Sequence, residues 1–155
     1  MALTTYAGLK ASIADWLNRS DLTNQIDDFI GLAEADFNAK LRIRQMEQID
    51  TITINAEAVA VPTGFIGVRS LYIQLSSTKF ALKYVTPSTM FDIRAGSTTS
   101  RPKTYTIQSD NAAETLRFGP SPDTSYTGYL SYYKRFAALS DTATSNYILN
   151  SHPSI

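Results

Sequence analysis

Chemistry at a protein site needs an acid matched to a base, a nucleophile beside a base, or a metal, and few residues of this chain can supply any of them. The single histidine, His152, stands three residues from the end of the sequence and reads as a solvated tail side chain. Asp27 and Asp28 are adjacent carboxylates, but neighbours on a helix diverge by about 100° and do not face each other. They read as an acid cluster near a helix N-terminus. The glycine patterns that cradle phosphates or dinucleotides, the nucleophile elbow and the HExxH zinc pattern are all absent. The sequence has no cysteine, which removes disulfides, thiolate zinc sites and thiol catalysis together. The expectation is a chain with no enzymatic activity, no metal and no cofactor.

Nucleic acid is the next partner class. Lys40, Arg42 and Arg44 at the end of a predicted helix, and Arg101 with Lys103 near a loop, are the local basic groups. A duplex binder that neutralises about 6 to 10 phosphates needs a contiguous basic face, and the formal net charge here is zero. Tyr126, Tyr129, Tyr132 and Tyr133 have the means to stack on bases, yet tyrosines at strand spacing belong far more often to a core or an interface. Specific nucleic-acid binding is therefore not expected.

The elements that would position these residues follow from periodicity. The stretch Asp21–Met46 carries Ile26, Phe29, Ile30, Ala33, Phe37 and Leu41 at helical spacing, with Asp27, Asp28, Glu34, Asp36, Lys40, Arg42 and Arg44 assigned to the opposite face. Asp21 is the expected N-cap, and the early acids and late bases suit the helix dipole. Before it, residues 4–18 predict a helix with Tyr6, Leu9, Ile13, Trp16 and Leu17 on one stripe, capped by Thr4 or Thr5 and closed by Asn18 with Ser20. The two predict an antiparallel hairpin over residues 1–46.

From Ile49 the period changes to two. Strands are expected near 49–55, 59–61, 65–75, 80–85, 103–108, 115–118 and 126–133, those at 65–75 and 80–85 forming a hairpin, with a short helix near 87–94 capped by Thr86. The last strand's alternation can place aromatics on both faces. The fold class read from this pattern is α+β: a helical hairpin, an antiparallel sheet or sandwich of about six strands over 47–139 with one inserted helix, and a segment 140–155 returning toward the helices.

Charge is uneven along the chain. Residues 1–36 hold two bases against six acids, whereas residues 37–105 hold nine bases against four acids. That asymmetry suits a dipolar subunit that associates with its neighbours. Asp27, Asp28, Lys40, Arg42 and Arg44, with the apolar run Tyr147, Ile148 and Leu149, are the candidate subunit or partner interface. No window approaches about 18 uninterrupted apolar residues, and MALTTYAGLK lacks the plan of a signal peptide, so a soluble, unsecreted chain without membrane contact is expected.

Several phrases, in order, resemble a known family: TYAGLKASIADWLNRSDLTNQIDDFIGLAEADFNAKLR, VPTGFIGVRSLYI, LKYVTPSTMFDI, RPKTYTIQSD, LRFGPSPD, YTGYLSYYKRFAALSD and NYILNSHP. The family is that of the head-to-tail adaptor, or connector, proteins of tailed bacteriophages and prophages, related to the tail tubular protein A of short-tailed phages. The resemblance implies a structural virion protein, assembled in the host cytoplasm, whose copies form a ring, typically a dodecamer. It further implies that the ring sits beneath the portal protein, docks the tail nozzle or tail tube below, and surrounds the channel through which DNA leaves. Such adaptors usually continue past the NYILNSHP phrase into further helices that cover the N-terminal hairpin. This sequence stops at Ser154-Ile155, so the expectation is either that further helices are missing, which leaves the apolar face of the hairpin without cover, or that a partner chain completes the bundle, with Tyr147–Leu149 starting the docking element. The alternative reading is a β-sandwich binding module of a tail-associated protein.

Overall fold

A computed structural model of the chain describes residues 3–96, 98–110 and 113–151, apart from the side chain of Asp110. The chain divides into two compact units, Met1–Met46 with Arg135–Ile155, and Glu47–Lys134.

The helical unit begins with α1 (Tyr6–Leu17). Thr5 caps it, its hydroxyl accepting from the Gly8 N–H at 3.2 Å, and Asn18 closes it in the left-handed region at φ 51°, a conformation asparagine tolerates better than most residues. Then comes α2 (Thr23–Lys40). Two expectations fail here. Asp21 does not cap α2: Arg19 takes its carboxylate through contacts of 2.8 and 2.5 Å, and Leu22 stands at the N-cap position with no side-chain bond. Nor does α2 reach Met46. Leu41 turns extended (φ −76°, ψ 139°), and the Arg42 guanidinium donates back to the carbonyls of Asn38 and Leu41 at 3.0 and 2.5 Å, occupying acceptors that a further turn would have used. Arg42 and Arg44 thus lie beyond the helix, Arg44 in the 3₁₀ turn Arg44–Met46.

Tyr6, Ile26 and Ile30 form the core of this unit, with Leu9, Ile13, Ala14, Leu22 and Leu139 packed against them. The predicted stripe is only partly covered: Trp16 is 88% exposed and Phe29 54%.

The second unit is a two-sheet sandwich. One sheet has the order β1 (Glu47–Ile54), β8 (Tyr126–Lys134), β3 (Phe65–Leu75), β4 (Thr78–Ala81); the other has β2 (Ala58–Ala60), β7 (Ala113–Gly119), β6 (Thr104–Asp110), β5 (Lys83–Tyr84). Its core is drawn from both sheets and includes Ile54, Leu71, Ile73, Leu116, Phe118, Leu130 and Tyr132. Among the described residues the seven strand ranges expected become eight strands. The segment predicted as one strand over 80–85 is split: Leu82 still donates to Leu71 in the first sheet at 2.9 Å, whereas Lys83 donates to Lys103 in the second at 3.1 Å. The β5–β6 pair is parallel, so the second sheet is mixed. Along β8, Tyr126, Gly128, Leu130 and Tyr132 point inward and are buried. A Cβ on Gly128 would stand 2.7 Å from Ile54 Cδ1, so the inner face leaves no room there for a side chain.

Helix α3 (Pro87–Arg94) has Thr86 as its cap and proline at its first turn, as expected. Met90 is buried, and Gly119 of β7 lies so close that a Cβ there would meet Met90 Sδ at 2.7 Å. Arg94 at its last turn and Arg117 of β7 share the Glu57 carboxylate. After β8 the chain forms one more helix, α4 (Tyr147–Ser151).

Candidate assembly surface

The helical unit is held together by a polar clamp beside an apolar groove. Glu34, on α2, is half-buried, and its carboxylate accepts from the Leu139 N–H at 3.0 and 3.3 Å and from Asn146 Nδ2 at 3.1 Å. One turn later on the same face, Asn38 Oδ1 accepts from the Phe136 N–H at 3.0 Å. Two side chains four apart on α2 thereby seize two backbone donors three apart on the returning segment, groups that would otherwise be left unsatisfied. Asn146 completes the clamp. Its Nδ2 also donates to the Ala137 carbonyl at 3.1 Å, and its Oδ1 accepts from the Leu149 N–H at 3.0 Å, which caps α4. Burial pushes the Glu34 carboxyl above its ordinary range, against the opposing pull of the Leu139 and Asn146 hydrogen bonds.

Beside the clamp lies a groove of about 310 Å³ whose wall comes from Leu9 and Ile13 of α1, Phe29, Ile30, Ala33 and Phe37 of α2, and Leu139, Ile148 and Leu149 of the returning segment. Leu32, on the neighbouring side of α2, is 67% exposed. An open apolar surface of this kind, bordered by charge, is the usual mark of a contact with another macromolecule.

The predicted interface residues divide into two groups. Asp27 is engaged within the unit: it pairs with Lys10 at 3.2 Å, and Lys10 lies 4.5 Å from the centre of the Tyr6 ring. Tyr6 is pushed above its ordinary range by burial and then by its hydrogen bond to Asp27. Leu149 is buried, and Tyr147, half-buried, stacks on Phe136 with ring centres 6.0 Å apart. By contrast Asp28, Lys40, Arg42 and Arg44 are exposed, Lys40 pairing with Asp36 at 2.6 Å, and Ile148 lines the groove. His152 lies outside the described residues.

Two features of the surface escaped the sequence reading. The charge pattern of α2 assigns Glu34 to its polar face, but Glu34 follows Ile30 by four residues and shares its side. Asn146 carried a readable signal, an amide just before the apolar run Tyr147–Leu149, the pattern of an N-cap.

Three of the four tyrosines with the means to stack on bases are engaged within the sandwich. Tyr126 and Tyr132 are in the sandwich core. Tyr129 stacks on Tyr72 at 5.0 Å, with Lys79 5.1 Å from the Tyr72 ring centre. Arg101 lies over Phe80 at 3.8 Å. The Tyr132 hydroxyl donates to Asp50 at 2.7 Å, and burial together with that bond pushes its pKa up to about 12, while the same bond holds the Asp50 carboxyl below its ordinary range. Among the described residues no group of three or more His, Cys, Asp or Glu side chains is placed to hold a metal ion, and no helix is long and apolar enough to cross a membrane.

A two-sheet sandwich, and a clamped helical unit with an open apolar groove, make up an α+β fold. Residues 4–155 match the family model of the SU10 adaptor protein, and the chain belongs to that family. It is a structural adaptor of a bacteriophage, a component of the virion that associates with other head and tail proteins. Among curated proteins no relative matches the chain.

Proposed function

We propose that this chain is a head-to-tail adaptor of the tail tubular protein A type, whose copies form a ring, a dodecamer, between the portal and the tail nozzle or tail tube, around the channel through which DNA leaves the capsid. The observation that carries this reading is the family match over residues 4–155. The groove and the exposed Phe29 and Leu32 supply apolar surface for a protein partner. A channel along which DNA slides must not hold it tightly, and a formal net charge of zero suits that role. Among the candidate contacts, Asp28, Arg42, Arg44 and Ile148 are the side chains to which we assign partner binding, because Asp27 and Leu149 are occupied within the unit.

The test is native mass spectrometry of the chain mixed with purified portal ring. A complex carrying many copies of the chain on one portal is the expected result. A chain that ignores the portal and stays monomeric in its presence would remove the reading.

A further inference from the structure

The helical unit leaves its largest side chain in water. Trp16 is the chain's sole tryptophan and is 88% exposed. It follows Leu9 and Ile13 at positions seven and three residues on, so it continues the side of α1 that those two present to the groove. The same unit therefore carries a projecting indole and an apolar groove of about 310 Å³, a cavity at the small end of those that accept an organic group. Tryptophan is also the side chain whose burial most often dominates a protein interface.

The charges name the occupant. Residues 1–46 and 135–155 hold six bases against seven acids, so two copies of this unit meet with almost no net repulsion. The exposed charges without an ion-pair partner among the described residues are also set apart by sign. Asp15 and Asp28 lie toward the α1–α2 connection, whereas Arg42 and Arg44 follow the far end of α2, whose 18 residues span about 27 Å. Neither Asp28 nor Arg44 has an ion-pair partner among the described residues. A partner of one sign would complement one end only; a second copy complements both when placed head to tail.

We propose that the helical unit docks head to tail on a second copy of this chain, Trp16 of one copy seated in the groove of the next and Asp28 facing Arg44 across the contact. The proposal rests on the self-association in the preceding section and names the contact that produces it. Because the two surfaces differ, the contact is heterologous and generates a ring wherever its rotation closes.

The lone tryptophan makes the contact readable. The full chain is followed over a concentration series by sedimentation and by tryptophan emission with acrylamide quenching. As species larger than the monomer appear, the emission should move to the blue and quenching should fall several-fold. Trp16→Ala, which removes the indole, and Ala33→Phe, which fills the groove, should each raise the concentration for half-assembly at least about tenfold, with the monomer's circular dichroism unchanged. Asp28→Lys and Arg44→Glu should each weaken assembly, and the double variant should restore it. Assembly with Trp16 still red-emitting and fully quenchable, or undiminished in Trp16→Ala, would overturn the contact and leave the ring itself standing. A chain that stays monomeric with an exposed indole at every concentration also overturns it, while the copy number counted on the portal judges the ring separately.

Discussion

Glu34 and Asn146, 112 residues apart in the chain, meet through a 3.1 Å hydrogen bond that fastens the returning segment to α2. The bond is one of three that the Glu34 carboxylate accepts from the segment's own donors. The groove wall formed by Leu139, Ile148 and Leu149 is thus in place because a polar clamp holds it there.

Asn146→Ala removes the cap on α4 and one donor to a half-buried carboxylate. The expected loss is about 1–3 kcal/mol, read from urea denaturation followed by the helical circular dichroism signal. A loss confined to a few tenths would mean that the clamp contributes little to the groove.

The Glu34 carboxyl is raised in the folded chain by burial, so folding favours its protonated form. Its contribution is fully present below the unfolded pKa of about 4.3 and is lost as pH rises through the higher folded value. Glu34→Gln should therefore gain stability relative to the parent as pH increases through that window, in denaturation curves taken across mildly acidic pH. A difference that shrinks as pH rises would contradict the burial argument.

Tyr132 and Asp50 define two further windows in the sandwich. Tyr132 rises to about 12 in the fold, so its contribution is present below the unfolded value of about 10 and falls away as pH climbs toward 12. Asp50 is lowered, chiefly by the Tyr132 hydroxyl, so its contribution is present above the unfolded value of about 3.9 and falls away as pH drops through the lower folded one. Tyr132→Phe should flatten stability in both windows at once, measured by thermal unfolding at high and low pH. An unchanged profile at low pH would show that the bond does not hold Asp50 down, and one at high pH that the buried Tyr132 hydroxyl is not the group that titrates there.

Asp27 and Asp28 should separate fold from assembly. Asp27→Lys places a base beside Lys10 in a half-buried site and should lower the unit's thermal midpoint. Asp28→Lys, on an exposed side chain, should leave that midpoint within the range of ordinary surface changes, about 0.5 kcal/mol, while weakening assembly and its dependence on salt. Thermal unfolding and sedimentation at two salt concentrations read the two effects apart. Equal loss of midpoint in both variants would refute the distinction.

Local signals carried far in this chain. Thr5 and Asn18 bound α1, Thr86 with Pro87 starts α3, and the apolar alternation of 65–75 gives β3 to the residue, because each depends on a few neighbouring side chains and the backbone they prefer. The tyrosines of β8 likewise fall on two faces because strand geometry alternates them. What periodicity does not contain is the identity of the covering element. Leu82 bonds to one sheet and Lys83 toward the other because Leu71 of β3 and Lys103, just ahead of β6 and far away in sequence, offer acceptors on different sides. The end of α2 was decided by Arg42 turning back on its carbonyls. Glu34 faces inward because segment 136–149 brings donors to it, and Trp16 stands in water because none of the described residues covers it. The sequence by itself determined which helix sides and strand faces are apolar; the tertiary structure alone decided which of them are covered, since burial is a property of the partner as much as of the face.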